Sequence, residues 1–320
     1  MKALAGGFAL GTLAPAPGAR TARPVAAVRI ALDDETAFWP LADAARHAGV
    51  KGVPDHLMAL FDDWDGSLER IERVVAAIRR GRVPAHLAIP ERHAKLLTPL
   101  RYPRKALFTG ANYADHLVEM NAASIRKIQG VPPFFFMKPP STALVGPGRT
   151  VRIPSGCQYF DWEAEVVAVI GRGGRDIPVA RALRHVAAYS VGIDFTARDL
   201  FVQPESFFKF NFTLGKSQDT MSPLGPVVVP AAFLPSGPAL EFGLWVNGVP
   251  KQRASTADMI YSLAEQIAGI SRSVSVEPGD VIFTGSPAGV GLPRGEKLAP
   301  GDRVRVAADY VGEMEVVIRG

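Results

Sequence analysis

The sequence predicts an α+β protein in which a smaller α/β unit, residues 1–100, precedes a larger, strand-dominated unit, residues 101–320. The first unit combines an apparent strand–turn–strand with two amphipathic helices. The run LLTPLRYPRK at 96–105 contains two prolines and several basic residues, which is typical of a boundary. Beyond it, short apolar segments recur between Gly and Pro residues. This spacing favours an α+β architecture over a doubly wound parallel sheet.

In the smaller unit, apolar runs alternate with turn residues and helical patterns. The opening MKALAGGFALGTLAPAPGA superficially resembles a signal peptide, but glycines interrupt its apolar run, and APAPG followed by PVAAVRIAL predicts strand, turn and strand. Residues 40–49 predict a helix that begins at a proline. Residues 67–81 predict a second helix, because apolar residues recur on one face and Gly81 provides a stop.

The larger unit is predicted to consist mainly of strands. Helical patterns stand out only near 178–188 and 255–272. GRGGRD at 171–176 lacks the third glycine of a dinucleotide-binding loop, so we interpret it as a turn. The predicted strands lie in the segments KALFTG, FFFMK, AEVVAVIG, GPVVVP, LEFGLWVNG, DVIFTG and DRVRVAADYVGEMEVVIR.

Composition limits the classes of function. Of the 320 residues, 48% are apolar and 21% are charged, which is typical of a soluble globular protein with a substantial core. The net charge of +5 is scattered and not interleaved with aromatic residues, so we expect no nucleic-acid binding. No apolar run approaches the ~18 residues of a membrane span, so we expect no membrane partner. The single cysteine, Cys157, excludes an intramolecular disulfide and a Cys-based zinc site, and it fits a cytoplasmic protein.

The segment FDWEAEVVAVIG at 160–171 raises the main chemical question. Its second half has the pattern of a strand buried on both faces, whereas its first half carries Asp161, Glu163 and Glu165. Side chains alternate along a strand, so the three carboxylates are expected on one face, where they repel one another. A bound cation would remove this repulsion, because carboxylates suit Mg²⁺, Mn²⁺ or Ca²⁺. The alternative is a solvent-exposed strand end with ordinary salt bridges.

Another acid strengthens the interpretation as a metal site. Asp194 closes the apolar strand in YSVGIDFTARDLF, at 189–201. A carboxylate at the end of a buried strand is costly to desolvate unless it is paired or ligated. Two acid-bearing strands that end together would form a three-carboxylate cation site with open positions for substrate and water.

Two further patterns offer acid–base and anion-binding groups. If ANYADHLVEM is helical, His116 and Glu119 share one face, and the carboxylate orients the imidazole for general acid–base work. The alternative is an ordinary surface contact. Lys138 and Lys216 each lie in a segment poor in charge, which is compatible with anion binding or with a side chain that reaches solvent.

The segment DVIFTGSPAGVG at 280–291 is a strand followed by small residues. Thr284, Gly285 and Ser286 begin a turn whose backbone amides can approach an anion closely. The alternative is a hairpin turn without a ligand.

Taken in order, these segments resemble the fumarylacetoacetate hydrolase family, and in particular an acylpyruvase-like member with an N-terminal accessory domain. The resemblance covers residues 105–320, while the first hundred residues resemble only the variable N-terminal domain of longer members. Ser286 departs from the usual TGTPAGVG. The segment between Asp199 and Lys216 is rich in aromatic residues, which favours an apolar or aromatic substrate tail. The matching segments are NYADHLVE, FMKPPSTALVGPG, DWEAEVVAVIGRGGRDI, YSVGIDFTARDL, GKSQDTMSPLGP, VNGVPKQRASTADMIYSLAEQI, PGDVIFTGSPAGVG and PGDRVRVAADYVGEMEV.

The resemblance implies a mixed β-roll fold, a homodimer and a bound Mg²⁺ or Mn²⁺ ion. The residues that match the family's metal ligands are Glu163, Glu165 and Asp194. The catalytic residues that it implies are His116, Glu119 and Lys216. In this scheme the His–Glu dyad activates water, the lysine binds or polarises the substrate, and Asp161 supports the ligands. The residues expected to contact the substrate are Lys138, Arg198, Thr284, Gly285 and Ser286.

The leading hypothesis is therefore hydrolysis of a carbon–carbon bond in a β-diketo acid of the acylpyruvate or fumarylacetoacetate type, through an enolate. The alternative is a decarboxylase, isomerase or hydratase that acts on a related 2-oxo acid such as oxaloacetate, because one fold supports several reactions. An intact dyad favours hydrolysis, since decarboxylation needs no activated water. A binding protein without activity is disfavoured because every expected polar position is filled.

Overall fold

A computed structural model describes residues 2, 4, 6–15, 23–32, 35–122, 127 and 130–320. Within them the chain forms mixed β-sheets flanked by short helices, which confirms the predicted α+β class. The strands, in chain order, are β1 (Ala9–Leu13), β2 (Val25–Leu32), β3 (Glu35–Pro40), β4 (Ile89–Pro90), β5 (Leu96–Leu97), β6 (Ala106–Thr109), β7 (Phe135–Lys138), β8 (Leu144–Val145), β9 (Thr150–Arg152), β10 (Phe160–Asp161), β11 (Ala164–Ile170), β12 (Val186–Ile193), β13 (Thr196–Ala197), β14 (Ser222–Pro230), β15 (Glu241–Val246), β16 (Val249–Ser255), β17 (Val281–Phe283), β18 (Arg303–Ala308) and β19 (Gly312–Arg319).

The helices are short apart from one in the smaller unit and one near the C-terminal third of the chain. They are α1 (Leu41–Ala48), α2 (Leu57–Leu60), α3 (Trp64–Arg79), α4 (Ala114–Glu119), α5 (Val179–Ala182), α6 (Arg198–Phe201), α7 (Phe212–Lys216) and α8 (Leu263–Ser273). Among the described residues, no helix has the length and apolar character needed to cross a bilayer.

Twelve strands form one large sheet, in the order β4-β3-β2-β1-β14-β12-β11-β17-β6-β7, with β5 beside β1 and β8 beside β14. Because β1 pairs with β14 at Leu10 and Val228, the strands of the smaller unit continue the sheet of the larger one. The division into two domains near residue 100 stays a prediction. A second sheet, β16-β15-β18-β19-β9, packs on the first where β15, β18 and β19 contact β11, β12 and β14.

The central strand β11 is buried on both faces, as its apolar run predicts. Val166 and Ala168 belong to the apolar core between the two sheets. Val167 and Val169, on the opposite face, pack in the core that the helices of the smaller unit cover. A polar residue at either end of this strand is therefore surrounded by protein.

Several local predictions are confirmed. The strand–turn–strand at the start is an antiparallel β1–β2 pair that brings Leu13 opposite Val25, although residues 16–22 of its turn lie outside the described residues. The helix predicted at 40–49 is α1. The helix predicted at 67–81 is α3, which begins three residues earlier because Asp63 caps it by accepting the Gly66 N–H.

Two helical predictions are partly wrong. The pattern at 178–188 yields only α5 and one 3₁₀ turn, since residues from Val186 onward pair as β12 with neighbouring strands. The pattern at 255–272 yields a 3₁₀ turn at Thr256–Asp258 and an α-helix only from Leu263. Ser262 and Glu265 form a capping box there, with the Ser262 N–H donating to Glu265 Oε2 at 2.9 Å.

Candidate functional site

The three acids predicted to bind metal meet at one end of two paired strands. β11 and β12 run antiparallel, and Ala164 at the start of β11 lies opposite Ile193 at the end of β12. Glu163 precedes β11, Asp194 follows β12, and Glu165 is the second residue of β11. One carboxylate oxygen of each acid lies within 4.8 Å of the other two. All three side chains are buried, so this is not a solvent-exposed strand end.

Asp161 lies apart from these three because FDWEAEVVAVIG is not one continuous strand. β10 ends at Asp161 and β11 begins at Ala164, so the expectation that one strand aligns all three of its carboxylates is wrong. Asp161 Oδ1 accepts the backbone N–H of Gly291 at 2.6 Å, and Oδ2 accepts Arg198 Nε at 2.8 Å. Asp161 therefore holds a turn and an arginine in place beside the other acids.

Three cationic side chains reach the acids from three different elements. Lys216, at the end of α7, donates to Glu163 Oε2 at 2.6 Å and to Asp194 Oδ2 at 2.7 Å. Lys138, at the end of β7, pairs with Asp194. Arg198 is at the start of α6, and its Nη2 lies 2.9 Å from Glu163 Oε1. We name these three cations and the acids Asp161, Glu163, Glu165 and Asp194 the acid cluster.

The charges of the acid cluster are unevenly matched. Glu165 accepts the backbone N–H of Gly285 at 2.6 Å, and no cationic side chain of the described ranges forms a salt bridge with it. Burial and the neighbouring carboxylates raise the pKa of Glu165 well above its usual value. Burial acts in the same direction on Glu163, but Lys216 and Arg198 outweigh it and lower the pKa to about 2. Among the described residues, Glu165 is therefore the acid of the cluster that lacks a cationic partner.

His116 and Glu119 form the pair that their spacing predicts. Both lie in α4, and His116 Nδ1 is 2.7 Å from Glu119 Oε1. Burial opposes the ionisation of Glu119, but hydrogen bonds from His116 and from the Gly289 N–H outweigh it and lower the Glu119 pKa. His116 also contributes to the lowering of the Glu163 pKa described above. The Gly289 N–H donates to Glu119 Oε2 at 2.8 Å, so the dyad is held by the same turn that contacts Glu165 and Asp161.

The turn after β17 connects the dyad with the acid cluster. Its backbone N–H groups donate to carboxylates on three different segments, at 2.6 to 2.8 Å. The donor–acceptor pairs are Gly285 with Glu165, Gly289 with Glu119, and Gly291 with Asp161. The backbone amides of this turn thus bind carboxylates of the protein, and their binding of a ligand anion stays a prediction.

Two positions of this turn require glycine. Gly285 has φ of +102°, and a Cβ there would lie 2.7 Å from the Cβ of Asn112. Gly289 has φ of +108°, and a Cβ there would lie 2.2 Å from the Lys251 carbonyl oxygen. Both the backbone conformation and the close packing exclude a side chain. The spacing of glycines in TGSPAGVG is therefore needed to bring the N–H groups to their carboxylates.

The hydroxyls expected to contact the substrate are bonded within the protein. Thr284 Oγ1 donates to the Val166 carbonyl at 2.8 Å. Ser286 Oγ accepts Gln252 Nε2 at 2.9 Å. Substrate contacts by Thr284, Gly285 and Ser286 stay predictions.

Two buried amide side chains that support the site are not predicted from the sequence. Asn112 lies just before the dyad helix α4. Its Nδ2 donates to the Thr284 carbonyl at 2.8 Å and so fixes the turn after β17 beside that helix. Gln252 Oε1 accepts the Ala164 N–H at 2.8 Å, at the first residue of β11. Both lie within segments that carry the family resemblance, which is the only signal that points to them. Their partners are 172 and 88 residues away, so local patterns cannot reveal them.

Comparison with known proteins agrees with this geometry. Residues 105–319 match the family model described as Fumarylacetoacetate (FAA) hydrolase C-terminal. The chain is 34% identical over 247 residues to the oxaloacetate tautomerase FAHD2A, mitochondrial, of Bos taurus, which covers 77% of this chain and 76% of that protein.

Solved structures of the same family share the fold. Fumarylpyruvate hydrolase from Pseudomonas aeruginosa, in complex with Mn²⁺ and pyruvate, is 35% identical with a TM-score of 0.60, over 69% of this chain and 91% of that one. Fumarylacetoacetate hydrolase from psychrophilic Exiguobacterium antarcticum is 27% identical with a TM-score of 0.71, over 98% of this chain and 99% of that one. These relatives are enzymes, and their activities include hydrolysis and tautomerisation. The matched model spans most of the larger unit, and the chain belongs to the fumarylacetoacetate hydrolase family.

Proposed function

We propose that this protein is a divalent-metal-dependent hydrolase that cleaves a carbon–carbon bond in an acylpyruvate-type β-diketo acid. The observation that carries the proposal is the turn after β17, whose N–H groups hold both Glu119 of the His116–Glu119 dyad and Glu165 of the buried carboxylates. A general base beside a cation site is what the hydrolysis of a chelating diketo acid requires.

Glu163, Glu165 and Asp194 would hold the metal ion. Their oxygens are close together and buried, and hard oxygen ligands suit Mg²⁺ or Mn²⁺. When bound, the ion would act as a Lewis acid for the oxygens of a 2-oxo acid. The complex of the Pseudomonas aeruginosa enzyme with Mn²⁺ and pyruvate supports this assignment.

The acid cluster would then attract an anionic substrate. With all of its groups ionised, the cluster has four carboxylates against three cationic side chains, so a bound divalent cation would bring its net charge to +1. Burial opposes the charge on Lys216, but Asp194 and Glu163 outweigh it and raise the Lys216 pKa, so this ammonium stays protonated. Lys216 is therefore suited to stabilise negative charge on the 2-oxo acid end.

In the proposed reaction His116 accepts a proton from water, and Glu119 orients the ring and stabilises the imidazolium. The water oxygen attacks the carbonyl carbon of the acyl group. The bond from that carbon to the adjoining methylene carbon breaks, and its electron pair leaves with the pyruvate fragment as an enolate. The proton held by His116 then passes to the former methylene carbon of the enolate, which gives pyruvate and the free carboxylic acid. The Lys216 ammonium stabilises the enolate charge as it develops.

Turnover of acetylpyruvate tests the proposal. Loss of its ultraviolet absorbance and release of pyruvate, detected with lactate dehydrogenase, are expected with Mg²⁺ or Mn²⁺ and not with EDTA. Hydrolysis that persists at full rate in EDTA rejects the metal. Absence of pyruvate release from acetylpyruvate, fumarylpyruvate and benzoylpyruvate alike rejects the hydrolase.

The similarity to an oxaloacetate tautomerase favours a second candidate, keto–enol tautomerisation of a 2-oxo acid. The dyad would then move a proton between carbon and oxygen, and no bond to water would form. Oxaloacetate separates the two candidates. A tautomerase accelerates the decay of its enol absorbance without releasing pyruvate, whereas a hydrolase of acylpyruvates leaves the spontaneous rate unchanged.

A further inference from the structure

A line of aromatic side chains begins at the acid cluster and ends at the protein surface. On β7 and the residue before it, Lys138, Phe136 and Phe134 alternate and therefore share one face. With a rise of about 3.4 Å per residue, this face extends about 14 Å from the lysine to the outer phenylalanine. The exposed fraction increases from 2% at Lys138 to 53% at Phe134. The face thus leads from the buried acids to solvent.

The other two cations of the acid cluster also have a phenylalanine on their own element. Phe212 and Lys216 are four residues apart in α7, which places them on one side of the helix. Arg198 and Phe201 are three residues apart in α6, with the same consequence. Each of the three elements therefore carries a cation that contacts the acids and, two to four residues away, a phenylalanine on the same side.

The rings from the three elements contact one another. The Phe212 ring centroid lies 5.2 Å from that of Phe136, 5.4 Å from that of Phe134 and 4.7 Å from that of Phe201. The Lys216 ammonium lies 5.9 Å from the centroid of Phe136, so the innermost ring adjoins the site. We name Phe134, Phe136, Phe201 and Phe212 the aromatic wall.

The charge around the aromatic wall restricts what it can bind. Lys209 lies in the chain between Phe201 and Phe212. Its Nζ donates to the Pro204 carbonyl at 2.5 Å, and its side chain is exposed. In the part of the chain that the structure describes, Lys216 is the only cation recorded over a ring of the wall. A second carboxylate on the substrate would meet rings there, whereas a planar apolar group would stack on them.

We propose that the aromatic wall binds the acyl group, and that the substrate is an acylpyruvate with an aromatic or similarly planar apolar acyl group. This inference rests on the proposed function, because it places the 2-oxo acid end at the acid cluster. The acyl group lies at the other end of such a molecule, so it extends from the acids along the wall towards solvent. The simplest probe of this class is benzoylpyruvate.

Substrate preference tests the inference directly. The values of kcat/KM are measured with Mg²⁺ for benzoylpyruvate, acetylpyruvate and fumarylpyruvate. Benzoylpyruvate is expected to exceed each of the others by about tenfold or more, as apolar pockets typically discriminate. Equal values for benzoylpyruvate and acetylpyruvate, or a preference for fumarylpyruvate, overturn the inference.

Substitutions in the wall locate the preference. Phe212→Leu and Phe201→Leu keep an apolar side chain but remove the ring, and each is expected to lower the benzoylpyruvate to acetylpyruvate ratio about tenfold, mainly through KM for benzoylpyruvate. Phe208→Leu is the matched control, since this ring is 78% exposed and, among the described residues, its one aromatic contact is an edge-to-face contact with Phe207. Its ratio is expected to equal that of the unaltered protein. Equal losses on both substrates in the wall variants indicate a structural role and overturn the assignment.

Direct binding separates failure of this inference from failure of the proposed function. If no acylpyruvate is hydrolysed, the hydrolase proposal fails, and benzoylpyruvate becomes a stable ligand for calorimetry on the Mg²⁺-loaded protein. Tighter binding of benzoylpyruvate than of acetylpyruvate, lost in Phe212→Leu, then upholds the wall. Equal binding of the two overturns it. Sedimentation of the same variant is the remaining check, because a changed oligomeric state would show that the wall is an interface between copies.

Discussion

Two groups of buried charge lie at opposite ends of β11 and β17, and their charges are matched differently. The acid cluster lies where β11 begins, whereas Asp280 lies directly before β17, beyond the paired residues Val169 and Val281. Asp280 is fully buried and accepts the backbone N–H of Lys105 at 2.8 Å and that of Glu277 at 2.7 Å. Lys105 Nζ lies 3.0 Å from the same carboxylate and also pairs with Glu277.

The difference shows how buried charge can serve either the fold or a ligand. Burial raises the pKa of Asp280, but hydrogen bonds from its neighbours and the Lys105 ammonium oppose that rise, so the protein itself supplies its partners. Burial also raises the pKa of Glu165, and the adjacent acids add to the rise. At Glu165 the proposed metal ion would supply the cationic partner that the described residues lack. The predictions below follow from this contrast.

The largest expected effect comes from removing charge in the acid cluster. The double variant Glu163→Gln, Glu165→Gln keeps the side-chain volumes but removes two of the three proposed metal ligands. We expect loss of Mg²⁺ binding in calorimetry and a fall in kcat on the order of 10⁴-fold or more, since a metal ion contributes several kcal/mol of transition-state stabilisation. Asp280→Asn is the matched control and should retain both properties. A double variant that still binds and turns over with Mg²⁺ would contradict the assignment.

The next effect concerns the His116–Glu119 dyad. His116→Ala removes the proposed base and should lower kcat by about 10² to 10⁴-fold, with Mg²⁺ affinity unchanged. Glu119→Gln keeps the size of the partner but loses its charge, so it should lower kcat less. Unaltered hydrolysis in His116→Ala would remove the dyad from the mechanism. Equal losses of metal affinity and rate would show instead that α4 supports the acid cluster.

Much of the acid cluster and of the dyad can be predicted from the sequence, because the spacing of residues within one strand or helix places their side chains. The alternation of charge and apolar residues around Glu163 and Glu165 predicts a buried strand with an acidic end, and Asp194 repeats this pattern on another strand. The i, i+3 spacing of His116 and Glu119 predicts their contact. Where a strand or helix face is short and regular, sequence spacing determines which side chains meet.

The remaining features depend on contacts between distant segments. The break between β10 and β11 sends Asp161 to the Gly291 N–H, 130 residues away, and no residue in its own segment indicates this. Lys138 and Lys216, whose segments suggest anion binding, are paired in the structure with acids of the protein. The contact between Lys105 and Asp280 joins residues that are 175 positions apart, so no local sequence pattern predicts it. Charge matching is a property of the folded protein, and sequence patterns reveal only the groups that need it.

At the Asp280–Lys105 pair the expected effect is on the free energy of unfolding. Asp280→Asn leaves the Lys105 ammonium partly unpaired and replaces a charge-assisted acceptor with an amide. We expect the free energy of unfolding to fall by about 1 to 3 kcal/mol, the typical effect of leaving a buried polar group without its partner. Urea unfolding followed by tryptophan fluorescence measures it. A loss of Mg²⁺ binding in this variant would show that the two ends are not independent.

The smallest expected effect is a pH dependence of the free energy of unfolding that arises from Glu277, the exposed partner of Lys105. A hydrogen bond from Lys105 lowers the pKa of Glu277 from its usual 4.5, so between the lowered value and 4.5 the unfolded chain binds more protons than the native one. The stabilisation is therefore fully present above pH 4.5 and is lost as the pH falls through the lowered pKa. Because Glu277 is half exposed, Glu277→Gln should cost only a few tenths of a kcal/mol near neutral pH, and 1 M salt should reduce this cost. Urea unfolding of both proteins between pH 3 and 7 measures the difference, and a difference that grows towards acid pH would contradict the pairing with Lys105.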